Sequence, residues 1–473
     1  MKFRLGNGSD SDSRNNLLKL NRAEAPRTTP AVESEPAETE KKLSASATPT
    51  YQSSADYLEL KVRMHQRIID EIKLSALEGM DRNELRSEIG EVITGLLSQE
   101  TKPLNINERN RIIDDVIDEL MGFGPLEPLL QDETISDILV NTPKEVFIER
   151  FGVIEETDVK FKDDEHLLRI IDRIVVKVGR RVDESNPLVD ARLPDGSRVN
   201  AVVPPIALDG PLVSIRKFSK IPFDLGRMVE IGSMTQACAD VLKGCVKCRL
   251  NLLISGGTGT GKTTLLNAVS RSIGDKERIV TIEDAAELQL QQRHVARMET
   301  RPRNIEGKGE ITQRDLVKNA LRMRPDRIIL GEVRGGEAFD MLQAMNTGHD
   351  GSITTVHANT PRDALARLEQ MVSMANLDVP ARAIRAQIAS ALDVIVQIKR
   401  FADGTRRIVS LQEITGMEGD VITMQELYRF RQQHIEQNNK VVGVFEATGV
   451  RPVFYDAFKA NAVEIPDIFN QGH

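Results

Sequence analysis

The chain has 473 residues, 40% hydrophobic and 28% charged, with a net charge of −8; this suits roughly two or three soluble-type domains and argues against a chain built mainly to coat nucleic acid or an anionic membrane. No run of about 18 apolar residues is present to span a bilayer, and no apolar stretch follows Lys2 and Arg4 to make a secretory signal. Three cysteines cannot frame a disulfide scaffold, so a reducing, cytoplasmic setting is expected.

Residues 1–55 are rich in Ser, Thr, Pro, Ala and Glu and are expected to form a disordered tail. Residues 56–121 read as an N-terminal helical bundle. Its first helix carries Ile68, Ile69, Ile72 and Leu74 at helical spacing, its second is capped by Asp81 and runs to Leu97, and its third covers about Asn107–Met121. Residues 122–218 predict a separate α+β domain. Strands are expected at Ile135–Val140, Val146–Glu149, Leu188–Leu193, Arg198–Val203 and Leu212–Ile215, and a helix over Glu165–Gly179. Residues 219–227, with Pro222 and Gly226, are the expected linker. From 228 to 445 strands and helices alternate, which predicts a mostly parallel sheet wrapped by helices. Beyond Phe445 the signal fades, and 446–473 are expected as a C-terminal tail. Cys238, Cys245 and Cys248 have no histidine close by to complete a zinc site, and are expected as buried small side chains.

The most specific stretch is Gly256-Gly257-Thr258-Gly259-Thr260-Gly261-Lys262-Thr263, a G-x-x-x-x-G-K-T after the apolar run Leu250–Ile254 and before the helical run Leu265–Val269. Strand, glycine turn and helix N-terminus are the context in which backbone N–H groups curl around phosphate oxygens. Gly257, Thr258, Gly259, Thr260, Gly261, Lys262, Thr263 and Thr264 are the expected nucleotide contacts. Lys262 adds charge at the β/γ phosphates and Thr263 reaches Mg²⁺.

Hydrolysis also needs a metal site, an activated water and positive charge. Arg327–Leu330 reads as a strand that delivers Glu332 to the ligand edge, where it can hold the water shell of Mg²⁺ or polarise the attacking water, or simply end a strand at the surface. Ile279–Ile282 delivers Glu283 and Asp284, with Glu287 just after; these can position water or metal, or cap a turn. Ser352–Val356 reads as a strand with His349 and His357 on either side, expected together at one sheet edge and each either structural or functional. Arg192, Arg198 and Arg216 lie on strands of the preceding domain, as solvated residues, as salt bridges, or as groups reaching a γ-phosphate. Arg322, Arg324 and Arg334 flank the Glu332 strand and can serve a neighbouring subunit.

Four blocks in this order, GGTGTGKT (256–263), TIEDAAEL (281–288), RIILGEVRGGEA (327–338) and GHDGSITTVHANT (348–360), resemble the Walker A, Asp box, Walker B and His box of the secretion (traffic) ATPases. RLPDGSRVNAVVPP (192–205) and VSIRKF (213–218) resemble that family's N-terminal domain. GFGPLEPLL (122–130) and DETISDILVN (132–141) are most similar to the tight-adherence (Flp) pilus ATPases of CpaF/TadA type. The four-cysteine zinc motif of the branch resembling type II secretion ATPases is absent. The resemblance implies an α/β fold: a RecA-like P-loop ATPase domain behind a smaller α+β, PAS-like domain and a helical extension. It implies catalytic roles for Glu283, Glu287 and Glu332, γ-phosphate sensing by His357, and finger roles for Arg198 and Arg216, with Arg192 beside them. It further implies ATP and Mg²⁺ as cofactors, the metal held by Thr263 and Glu332, and a homo-hexamer bound peripherally to an inner-membrane platform protein.

The expected function is therefore a hexameric ATPase motor for tight-adherence pilus assembly. Pilus retraction, protein or DNA export by a type IV system, and a nucleotide-regulated scaffold are the alternatives. Stable nucleic-acid binding is not expected, because aromatics are only 4% and Trp is absent.

Overall fold

The computed structural model describes residues 60–61, 63–64, 67, 82–98, 104–177, 179–218, 223–303, 308–375, 379–464 and 466. The expected tail, most of the first expected helix with Asp81, and residues 219–222 of the expected linker lie outside the described residues.

Two helices, Arg82–Leu97 and Ile106–Met121, pack through Ile89, Ile93, Ile112 and Val116. The second starts at a capping box: Asn105 accepts from the Glu108 N–H while the Glu108 carboxylate accepts from the Asn105 N–H. Among the described residues no helix is long and apolar enough to cross a membrane.

Next comes an antiparallel sheet of β1 (Ile135–Thr142), β2 (Glu145–Arg150), β3 (Val153–Glu156), β4 (Leu188–Arg192), β5 (Arg198–Val202) and β6 (Leu212–Arg216), in spatial order β3-β2-β1-β6-β5-β4. β5 and β6 alternate strictly, with Val199, Ala201, Val213 and Ile215 buried and the intervening residues outward. Their inner face packs with Leu167, Ile170, Ile171 and Ile174 of the helix Asp164–Lys177. Alternation puts Arg198 and Arg216 on the outer face, which explains arginines on strands without any buried charge.

The second sheet has nine strands: β7 (Leu252–Gly256), β8 (Ile279–Glu283), β9 (Val295–Glu299), β10 (Arg327–Leu330), β11 (Ile353–Val356), β12 (Val394–Arg400), β13 (Arg406–Glu418), β14 (Val421–Ile435) and β15 (Val441–Ala447). Their order is β15-β14-β13-β12-β7-β11-β10-β8-β9. β12, β7, β11, β10, β8 and β9 run parallel, and β13–β15 extend the sheet antiparallel from β12. The parallel strands β7, β8, β10 and β11 are buried along their whole length, as expected where helices cover both faces. One face packs on Val241, Leu242, Leu265 and Leu266, the other on Leu342, Leu368, Ile384 and Ile388. Arg327 is buried at 1% exposure, with Nε 2.7 Å from Glu277 and its remaining donors on the Val246 and Gly351 carbonyls, so its charge is compensated.

The sequence signal fades beyond Phe445, but described residues beyond it form regular elements. β15 runs to Ala447, and the helix Tyr455–Ala460 inserts Phe458, fully buried, against the helix Gln236–Lys247. The period is too short for a six-residue helix with one anchor to stand out in sequence. Gly244 makes that contact possible, since a Cβ there would lie 2.3 Å from the Phe458 ring. Gly244→Ala gains about 1 kcal/mol of helix propensity but overpacks a buried ring, which costs roughly 1–3 kcal/mol. A lower thermal midpoint is expected; an unchanged or raised one would mean that the C-terminal helix is not packed on this core. Cys238 and Cys245 are fully buried in the same cluster, and the Cys248 thiol donates to the Ala457 carbonyl.

Candidate active site

Parallel strands end at one edge of the sheet, and the four sequence blocks arrive there together. β7 leads into the phosphate loop, in which Gly259 (φ 67°) and Gly261 (φ 94°) take left-handed backbone that a side chain would strain, and the helix Lys262–Ser270 starts at once. The Thr260 hydroxyl donates to the Gly257 carbonyl at 2.9 Å and closes the turn. Lys262 is buried, and its ammonium donates to the Gly256 and Gly257 carbonyls at 3.1 and 2.9 Å. Burial pulls its pKa down to about 8; the Glu332 charge opposes this and the Arg334 charge adds to it. A buried ammonium held by carbonyls of its own loop and a neighbouring imidazole is a ready partner for phosphate oxygens. The loop, the helix N-terminus and this lysine therefore fit a nucleoside triphosphate. Thr258 is exposed at the tip, while Thr263 and Thr264 are half-buried in the first turn of the helix.

β10 leads into Glu332, two residues beyond Leu330. The Arg334 guanidinium grips its Oε2, with Nε at 2.7 Å, and reaches on to Asp284 at 3.3 Å. β11 leads into His357, whose Nε2 lies 2.7 Å from Glu332 Oε1 and 3.2 Å from Lys262 Nζ. One ring nitrogen thus stands between an ammonium and a carboxylate. With Nε2 bare it accepts from Lys262, while the nearby Glu332 Oε1 is buried without a hydrogen-bond partner. Burial, then the Lys262 charge, lowers the His357 pKa, so the neutral ring is favoured.

β8 ends at Glu283, which is 3% exposed. Its Oε2 accepts the N–H groups of Glu287 and Leu288 at 2.7 and 2.9 Å, while its buried Oε1 has no hydrogen-bond partner. Burial pushes this carboxyl up to about 7, only partly offset by the two backbone donors. Glu283 therefore holds a proton near neutrality, where an ordinary carboxyl would not.

The arginines of the first sheet sit differently from one another. Arg192 crosses to the second sheet and donates to the Ala286 carbonyl at 3.2 Å and to Glu299 at 3.0 Å. Arg216 donates to Asp137 at 3.2 Å; burial opposes its charge, but the carboxylates of Asp137, Glu287 and Glu149 outweigh that and raise its pKa. Arg198 pairs with Asp190 at 3.3 Å on an exposed face. None of the three donates to the phosphate loop.

His349 lies at the amino end of β11, opposite His357, with Nδ1 3.3 Å from the Ala344 carbonyl; a strand carries the two histidines to opposite edges. Arg322 and Arg324 precede β10 and lie at the same distant edge, whereas Arg334 serves Glu332 within the chain. Arg400 and Arg406 escaped the sequence reading. Arg406 Nε donates to the Gly259 carbonyl at 2.9 Å, on the phosphate loop itself. The Asp403-Gly404 turn between them was readable as a hairpin, but its position beside the loop was not.

The sequence matches the family described as Type II/IV secretion system protein over residues 119–444. A Mycobacterium tuberculosis protein named for conjugal transfer is 40% identical over 309 residues, covering 64% of this chain and 87% of the relative. The type IV secretion system protein VirB11 of Bartonella quintana is 34% identical over 324 residues, covering 59% of this chain and 89% of the relative. The crystal structure of the VirB11 ATPase from the Brucella suis type IV secretion system aligns at 31% identity and a TM-score of 0.33, over 61% of this chain and 94% of that one. With the matched region covering well over half its length, and the phosphate loop and its acidic partners meeting at one sheet edge, the chain belongs to the type II/IV secretion system ATPases, an ATP-hydrolysing family.

Proposed function

We propose that this chain is a hexameric, Mg²⁺-dependent motor that hydrolyses ATP at the cytoplasmic face of the inner membrane, bound to a platform protein, to power assembly of a tight-adherence (Flp) type IV pilus. The observation that carries the motor reading is the convergence of Lys262, His357, Glu332 and Glu283 on one sheet edge, with Arg192 and Arg216 reaching toward it from the other sheet. The pilus assignment rests on the GFGPLEPLL and DETISDILVN segments. A second reading, protein or DNA export by a type IV system, is favoured by relatives named for conjugal transfer and for type IV secretion.

In the proposed division of labour, the N–H groups of Gly257 to Thr264 and the Lys262 ammonium bind the phosphates. The Thr263 hydroxyl and Glu332, the latter through water, would hold Mg²⁺, which when bound supplies charge neutralisation on the phosphates. Glu332 orients the attacking water, and Arg334 fixes its carboxylate. His357 exchanges its contact with Lys262 or Glu332 for the γ-phosphate and so reports its presence. Glu283 holds a proton beside the site, and Glu287 lies between it and Arg216. Arg192, Arg198 and Arg216 would reach nucleotide only after the sheets move relative to each other or across a subunit boundary. Nucleotide bridging the two sheets favours closure, and phosphate release lets them part again.

ATP turnover measured against protein concentration, with mass determined in parallel, tests the motor. Specific activity rising as hexamers form, and lost in Arg216→Ala at unchanged mass, is the expected result; activity independent of assembly would sink the shared-site motor. A gene deletion that removes surface pili but leaves DNA transfer intact supports the pilus reading over export, and the reverse phenotype overturns it.

A further inference from the structure

β12 and β13 form a hairpin whose last cross-strand pair is Arg400 opposite Arg406. Like charges directly opposed on an antiparallel pair destabilise it, so the pairing needs a compensating anion. The acid of the turn between them, Asp403, faces Thr405, Val441 and Arg407 instead. The anion comes from the other sheet: Glu149 of β2 lies 3.2 Å from the Arg406 guanidinium and 3.8 Å from that of Arg400. Arg400 also donates to the Gly152 carbonyl in the turn after β2. The hairpin tip is itself fixed. Asp403 accepts from the Thr405 N–H and hydroxyl at 3.0 and 2.6 Å and from the Val441 N–H at 2.8 Å, and Arg407 stacks 4.7 Å over Phe430.

From this anchored position Arg406 turns Nε to the Gly259 carbonyl. A donor on the Gly259 carbonyl holds the loop without engaging any of the N–H groups that would face phosphate. β12 pairs with β7 as far as Ile398 opposite Gly256, which sets this hairpin end alongside the loop. One guanidinium thereby joins the phosphate loop to a carboxylate of the N-terminal sheet.

We propose that Arg406 is a positioning residue for the phosphate loop and that Glu149 holds it in place, so that the seating of the N-terminal sheet sets the loop's readiness for a triphosphate. Arg400 shares Glu149 and steadies the pair. The position of the first sheet is then felt at the phosphates without any arginine of that sheet touching them, and hydrolysis-linked movement of that sheet changes affinity through Arg406. The proposal rests on the loop being a nucleoside triphosphate site.

The test uses the full chain and a fluorescent ATP analogue, with Glu149→Gln, Arg406→Gln, the double variant, Glu149→Asp, and Lys262→Ala as reference. Each single glutamine variant is expected to weaken binding about 5- to 20-fold, in keeping with loss of a charge-assisted contact. The double variant should bind no more weakly than Arg406→Gln alone, because both changes break one chain of contacts. Glu149→Asp should recover part of the loss. Without nucleotide, hydrogen exchange should rise over residues 256–264 in Glu149→Gln while the helix Gln236–Lys247 stays protected, which general destabilisation would not produce. Affinity within twofold of wild type in Glu149→Gln, or losses that multiply in the double variant, would overturn the proposal. So would tighter binding in Glu149→Gln, which would mean that the carboxylate competes with nucleotide for the arginines. If wild type and Lys262→Ala bound the analogue equally, the triphosphate site itself would be wrong; a clear difference between them with no effect at Glu149 removes only the present proposal.

Discussion

Glu332→Gln is expected to lower ATP turnover about 10²- to 10⁴-fold, the range for loss of a positioned acid–base group, while nucleotide affinity stays within a few-fold of wild type. Glutamine keeps the size of the side chain and can still accept from Arg334. It loses the negative charge that Arg334 grips at 2.7 Å and the second carboxylate oxygen, which lies 2.7 Å from His357. In the proposed site, binding rests on a different set of groups, the loop N–H donors and the buried Lys262 ammonium. Lys262→Ala should therefore remove binding and turnover together, whereas Glu332→Gln separates them. Measuring the dissociation constant alongside single-turnover hydrolysis checks this. Turnover retained within tenfold in Glu332→Gln would move the water-activating role to Glu283 or Glu287.

Glu283→Gln should stabilise the fold at pH 8 and leave it nearly unchanged at pH 5. Burial lifts this carboxyl from 4.5 to about 7. Its folded pKa lies above its unfolded value, so its contribution to stability is complete below about 4.5 and is lost as pH rises toward 7. Above that the fold must hold a buried carboxylate with Oε1 unpartnered. A shift of this size corresponds to roughly 3 kcal/mol. Glutamine has no charge to lose and can still accept the Glu287 and Leu288 N–H groups, which the wild type holds at 2.7 and 2.9 Å. His357, whose pKa is lowered, titrates in the opposite sense, but it is common to both proteins and cancels in their difference. Urea unfolding of wild type and variant at both pH values gives the comparison. A difference that does not change with pH would mean that Glu283 is ionised in the fold, and would remove it as a proton holder beside the phosphates.

If both outcomes hold, the two acids at this edge have separate tasks set by their surroundings. Glu332 is paired with Arg334 and stands next to His357, where its carboxylate can orient water. Glu283 is buried, and burial outweighs its two backbone donors and the Arg297 charge, so its carboxyl is pushed up to about 7. A strained pose is not required for either.

What the sequence determined by itself is local chemistry and what each strand ends in. The loop Gly256–Thr263, the acids after β8 and β10 and His357 after β11 were all legible, because a buried parallel strand shows as a short apolar run and delivers the next residues to one edge. Arg198 and Arg216 were legible only as arginines on strands; their outward placement came with the observed alternation of β5 and β6. Only the tertiary structure decided which side chains share a partner. Arg334 was readable as a flanking arginine, but its grip on Glu332 depends on a turn that no spacing specifies. His349 and His357 look equivalent in sequence, yet a four-residue strand carries them to opposite edges. Arg400 and Arg406 carry no motif at all; their place beside the phosphate loop follows from β12 pairing with β7 after 137 intervening residues. Glu149 joins them only because two sheets far apart in sequence meet. Contacts of that range leave no periodic trace, since the residues that make them are chosen by packing between elements rather than by the repeat of any one.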